Sequence, residues 1–176
     1  MEKMPVLLLA GIFAVIVMLL FPAQHTFQRQ DELVEEKVEL ETTKLVDSIR
    51  TKGYISADML NRFHSQIGLS NYLFKVEIIH EKKIYVPVYS DPNNPNTYTG
   101  DYEIHYENSY TKEISDYIYN KKKRYELSAD DFITIRVQNM VRTNASILKD
   151  VLTFNFTDDT PEIFVQYGGM ILNEVR

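Results

Sequence analysis

Four histidines, His25, His64, His80 and His105, are the side chains best suited to proton transfer or metal binding in this sequence. None is paired as H-x-x-x-H or H-E-x-x-H, the spacings that put two imidazoles on one helix face. His80 with Glu81, and Glu103, His105 and Glu107, could converge on a metal only if their strands are neighbours. Alternate strand residues do share a face; solvated strand residues are the simpler reading. Asp91 to Asp101 is rich in oxygen ligands, yet it lacks the D-x-[DN]-x-[DN]-G order and late glutamate of a calcium loop. Asn and Pro build such turns without an ion. Asp130-Asp131 and Asp158-Asp159 read as turn or capping acids. With no cysteine, the chain has no thiol nucleophile, thiolate metal site or disulfide scaffold. It contains no G-x-S-x-G, Walker or G-x-G-x-x-G motif. The expectation is no catalytic, cofactor-binding or metal-ligating residue and no enzyme activity.

Two further features favour binding over catalysis. Lys121-Lys122-Lys123-Arg124 is the one basic cluster, suited to anionic lipid, a wall polymer or an acidic helix such as 31 to 41 of a neighbouring subunit. A solvated turn after a helix C-terminus is its plainer reading. Eleven of the twelve tyrosines lie from Tyr54 to Tyr125, and Tyr98, Tyr102, Tyr106 and Tyr110 recur every four residues. Tyrosine suits interfaces and sugar-binding surfaces, and is equally a core residue. The net charge of -6 argues against nucleic acid as a partner.

The elements that would hold these residues fall into three parts. Between Lys3 and Arg29 lie 25 residues without a charged acid or base. Residues 4–24 suffice to cross a bilayer as a helix, since about 20 residues span the hydrocarbon. A retained membrane anchor is expected over residues 1–28, with Pro22 bending or ending the helix near the surface. Lys3 on one side and Arg29 and Lys37 on the other barely discriminate orientation. The few residues before the run and the roughly 150 after it place the following domain outside the cell membrane, as in an N-terminal signal anchor. Residues 29–53 form an amphipathic stalk helix, stopped by Gly53. Its stripe, Phe27, Val34, Val38, Leu45 and Ile49, is widened by Leu33, Leu40 and Val46. That stripe would pack on sister subunits, giving self-association, or on the chain's own head.

Residues 54–176 read as an α+β head. Ser56 caps a helix ending at Gly68, and strands are expected at 72–80, 84–89, 102–106, 132–137 and 163–167. Pro87 suggests an edge position. Helices are expected at 111–120 and at 144–152, the latter carrying Ile147, Leu148 and Val151. Residues 1–28 hold one acid and one base, so the remaining 148 hold 24 acids, 18 bases and all the tyrosines.

This order, an apolar helix continued by an amphipathic one and capped by an α+β head, is the organisation of pilin-like proteins. The segments YISADMLNRF, KVEIIHEKK, Asp130-Asp131-Phe132 and IFVQYGGMI resemble small membrane-anchored proteins of Tad-type (type IVb) pilus clusters in Gram-positive bacteria. The resemblance covers most of residues 50–171. It implies a minor pilin or pseudopilin that acts through contacts with other pilus or assembly subunits. Family prepilins carry a Gly just before the apolar run and a Glu early in it. Here Met4-Pro5 opens the run, Gly11 lies inside it, and no acid falls between Met4 and Gln30. The alternative is an anchored adhesion module that binds a wall polymer or receptor through its tyrosines.

Overall fold

A computed structural model describes residues 3–70, 72–91, 93–121, 123–154 and 162–172. Its first element, α1 (Lys3–Lys52), is one unbroken helix of 50 residues. Of the expected bend or end at Pro22 the end is corrected: the proline lies within the helix, which continues past it. Anchor and stalk are therefore one rod, and its N-terminal part is long and apolar enough to cross a membrane. Gly53 closes the rod at φ 70, a left-handed conformation that glycine adopts without strain. Its N–H donates to the Ile49 carbonyl at 2.8 Å.

The head is α+β: β1 (Tyr54–Ile55), α2 (Ala57–Gly68), β2 (Phe74–Tyr89), β3 (Tyr98–Tyr110), α3 (Thr111–Tyr119), β4 (Tyr125–Glu126), β5 (Phe132–Asn139), α4 (Asn144–Thr153) and β6 (Phe164–Met170). Ser56 caps α2 as expected, its hydroxyl accepting from the Met59 N–H. Four strands form an antiparallel sheet in the order β3-β2-β5-β6, while β1 pairs with β4 apart from it. One face of the sheet lies on α1, chiefly through β6 and β5. Its rows are His80–Ile133–Gly169, Ile78–Ile135–Tyr167 and Val76–Val137–Val165.

Val34, Val38, Leu45, Val46 and Ile49 of α1 are buried against this face. The stripe expected to serve either sister subunits or the head is thus used by the head. Leu33 and Leu40 do not widen it; they sit exposed on the opposite side of the rod.

β6 lies close to its neighbours because of two glycines. A Cβ at Gly168 would meet the Ile133 carbonyl oxygen and the Thr134 hydroxyl, each at 2.7 Å. Gly168→Ala is expected to destabilise the head by about 1–3 kcal/mol, the usual cost of overpacking. A urea midpoint unchanged from wild type would contradict this close approach. At Gly169 the neighbour is the Arg50 side chain, whose Nε donates to the Met170 carbonyl at 2.9 Å. The Leu172 N–H donates to the Arg50 carbonyl, so the last strand is tied to the last turn of α1.

Two contacts set the direction of β2. Tyr72, just before it, donates its hydroxyl to Asp31 at 2.7 Å. Glu81 is in the row Glu81–Phe132–Met170, level with Arg50. From Asp31 to Arg50 the helix rises about 28 Å, and from Tyr72 to Glu81 a strand rises about 30 Å. β2 therefore tracks α1, and residues 82–89 continue roughly 26 Å beyond it. The sequence suggested two strands broken at Glu81-Lys82-Lys83; the structure has one of 16 residues. Past Glu81, β2 pairs only with β3, so this part is a projecting two-stranded ribbon. Pro87 lies in it, where β2 has a neighbour on one side only.

Burial first, and then the hydrogen bond to Asp31, push the Tyr72 phenol up to about 12. The folded state thus holds this proton more tightly than the unfolded chain. The resulting stability is present below about pH 10 and is lost as pH rises from 10 to 12. Wild type should therefore lose its advantage over Tyr72→Phe across that interval in parallel denaturation series. A constant difference would contradict the assignment.

Candidate interaction surfaces

The histidine and acid candidates separate in the structure. His80 lies on the core face at β2 and is 3% exposed. His105 lies on the ribbon, opposite Ile84, four strand positions or about 13 Å further along. His105 is exposed and pairs with Glu103 at 3.5 Å. Among the described residues no group of three metal-ligating side chains is gathered.

His80 has partners that the sequence did not suggest. Its Nε2 lies 3.0 Å from Asp131 Oδ2, and its Nδ1 lies 2.9 Å from the Tyr125 hydroxyl. In a neutral imidazole the carboxylate, an acceptor only, takes the Nε2 proton, and Nδ1 accepts from the phenol. Asp131 also accepts from the backbone N–H groups of Lys83 at 3.0 Å and Ser128 at 2.8 Å. Burial, the largest influence, pushes the Tyr125 phenol up, away from a reactive phenolate. Carboxylate, imidazole and hydroxyl are in series, as in a nucleophilic triad. Here both ring nitrogens are engaged inside the protein, and the arrangement clamps β2, β4 and the turn before β5 together. Asp130 points outward beside it, with φ 70 and a side chain 55% exposed. Asp158-Asp159 lies outside the described residues.

The oxygen-rich loop bonds to itself. Asp91 Oδ1 accepts from the Asn93 N–H, Asn94 Oδ1 from the Asn96 N–H, and Thr97 donates to the Asp91 and Asn94 carbonyls. These turns, with a 3-10 turn at Pro95–Thr97, form the tip of the ribbon.

The tyrosines divide into two sets. Tyr54, Tyr72, Tyr117 and Tyr125 are half-buried at the margin of the core. The ribbon set is gathered on one face by the register Lys83↔Tyr106, Tyr85↔Ile104, Pro87↔Tyr102 and Tyr89↔Tyr98. The four-residue spacing of Tyr98, Tyr102, Tyr106 and Tyr110 keeps strand parity, so all four share a face. Tyr85, Tyr102 and Tyr106 are largely exposed. Tyr89–Tyr98 and Tyr98–Tyr102 ring centroids are 5.9 and 5.6 Å apart. The Tyr98 phenol is raised to about 12, first by its hydrogen bond with Tyr102. Val86 and Val88 lie on the other ribbon face, across from the acidic side of β3, which carries Asp101, Glu103 and Glu107.

The basic cluster lies where α1 ends. Arg124 stacks over Tyr54 at 4.6 Å and Lys121 over Tyr117 at 4.8 Å; Lys122 lies outside the described residues. Lys52, Arg62 and Arg124 line a cleft of about 230 Å³ whose one acidic lining residue is Asp58. Among the described residues neither Lys52, Arg62 nor Lys123 has an ion-pair partner. The opposite charge lies on the outer face of α1, where Glu32, Glu36 and Glu39 surround the exposed Leu33 and Leu40.

No protein family, curated protein or solved structure matches this chain.

Proposed function

We propose that the chain is a single-pass, membrane-anchored, pilin-like subunit, a minor or accessory component of a surface pilus or secretion-like assembly, working through protein contacts with its head outside the cell. The observation that carries this reading is the division of α1. Its lower part is apolar all round, as a bilayer or a bundle of like helices requires. Its upper part buries one side in its own head and leaves the other uncovered, with two leucines among glutamates. A helix with one face covered by its own chain can still pack against a second chain. The basic cleft near Lys52 supplies the matching charge. A contact between two different patches is heterologous, and repeated without closure it generates a filament.

The test uses the absence of natural cysteine. Asn96→Cys at the ribbon tip should be labelled by a membrane-impermeant maleimide on intact cells. Leu40→Cys should form crosslinks to other chains in native membranes. Labelling only after lysis, or a Leu40→Cys chain that stays monomeric, would remove the reading.

The one-sided tyrosine ribbon favours a second reading, an anchored adhesion module for a wall polymer or receptor. Stacked phenols on a projecting strand pair give a flat apolar surface edged with hydroxyls. Tyr85→Ala with Tyr102→Ala and Tyr106→Ala should abolish binding to isolated cell walls if it holds. Under the assembly reading the same triple variant leaves the Leu40→Cys crosslinks intact.

A further inference from the structure

α4 exposes large apolar residues that a helix on an ordinary soluble head would cover. Ile147 and Val151 stand one turn apart on one side of α4, and Phe154, the left-handed residue (φ 54) that ends the helix, adds a third large apolar side chain. They are 50%, 49% and 85% exposed. The protein-facing side of the helix holds Ala145, Ser146 and Asp150. Asp150 is paired there with Arg142, and the Thr143 hydroxyl donates to the Glu162 carboxylate. The helix buries Ala145, Ser146 and Asp150, half-buries Leu148, and leaves Ile147, Val151 and Phe154 exposed.

The height of α4 explains the exposure. It packs beside α1, and its Ala145 and Lys149 share a cleft with Gln24, Gln28 and Asp31. The 19 residues from Met4 to Pro22 rise about 28 Å, close to the roughly 30 Å of the hydrocarbon layer. Half-burial of α1 begins at Leu20, in the last turn of that run, and continues at Ala23 and Gln24. No linker separates span from head, and the helix is continuous across Pro22. The head is therefore seated at the depth where acyl chains give way to headgroups, with α4 beside the exit point.

We infer that α4 is an interfacial membrane helix: its Ile147, Val151 and Phe154 side chains lie in the acyl–headgroup boundary of the bilayer that anchors the same chain. Interfacial helices bury an apolar stripe in lipid and turn their polar residues away from it. Leu73, Met140 and Val141 extend the apolar surface. All three are exposed, and Met140 N–H donates to the Leu73 carbonyl next to the Tyr72–Asp31 bond. Exposed Lys149, on α4 itself, suits a lipid phosphate. The inference rests on the span alone and stands or falls separately from the pilus reading.

The chain has no tryptophan, so one introduced indole is a clean depth probe. Full-length Phe154→Trp and, as a control, Tyr102→Trp on the ribbon would each be reconstituted in phosphatidylcholine vesicles with and without brominated acyl chains. Phe154→Trp should emit at shorter wavelength than the control and lose on the order of half its intensity to bromolipid, as a boundary-level ring would. Tyr102→Trp should be unaffected. Ile147→Glu in the Phe154→Trp chain should reduce the quenching while the far-UV spectrum is retained. Quenching no greater than in the control overturns the inference. A blue-shifted but unquenched Phe154→Trp also overturns it, since protein and not lipid would then cover this surface.

Discussion

Replacing Asp131 by alanine is expected to destabilise the head by several kcal/mol. The carboxylate is 1% exposed and accepts from the Lys83 and Ser128 N–H groups and from the His80 ring. A buried donor left without an acceptor costs about 1–3 kcal/mol, and alanine leaves the buried His80 ring and two partly buried N–H groups without theirs. The loss compares with total stabilities of about 5–15 kcal/mol for domains of this kind. Asp131→Asn should cost less, because one amide oxygen keeps some of the bonds. Asp130→Asn, one residue away, exposed and compatible with the left-handed φ of 70 at that position, should change stability by no more than about 0.5 kcal/mol. Urea midpoints followed by the near-ultraviolet signal of the tyrosines, with the full chain in detergent, would measure all three. Equal shifts for Asp130→Asn and Asp131→Asn would refute the clamp.

Ile49→Ala is the second substitution with a large expected effect. Ile49 is completely buried, on the stripe of α1 that the sheet covers. Removing its outer carbons takes apolar area from the core and leaves a cavity, which together cost about 2–5 kcal/mol. Leu40→Ala, on the uncovered side of the same helix, should be within about 0.5 kcal/mol of wild type. The 50-residue rod supplies much of the total helicity, so the readout must be the packing of the head. If the two variants melt alike, the assignment of the covered face is wrong.

Some of this was legible in the sequence and some was not, for reasons that differ from residue to residue. The α1 stripe could be read because Val34, Val38, Leu45 and Ile49 repeat at helical spacing and face one surface. The choice between a sister chain and the head could not, since either would bury the same residues. Glu81-Lys82-Lys83 looked like a turn because a half-buried strand alternates apolar with polar. In the ribbon both faces meet water, so nothing enforces that alternation, and pairing with β3 alone keeps the chain extended. The Asp131–His80 pair joins residues 51 apart, a contact set by strand order that no local spacing reveals. α4 was legible in part. Its periodicity gave the helix and its apolar residues Ile147, Leu148 and Val151, but not which of them the head would cover: Leu148 is half-buried and the other two are exposed.

The latch between Arg50 and β6 has a bearing on how the chain is made. Arg50 and Met170 are 120 residues apart, and β6 is the strand that meets α1 most extensively. At a synthesis rate of about 5–20 residues per second, roughly 6–24 s separate the emergence of the rod from that of its cover. Throughout that interval Val38, Val46 and Ile49 face solvent or a chaperone, and a sister chain at the same stage would offer the same surface. Correct maturation is therefore a race between the arrival of the last strand and premature helix pairing. A slow codon tract or a truncation before residue 164 would tip it toward aggregates.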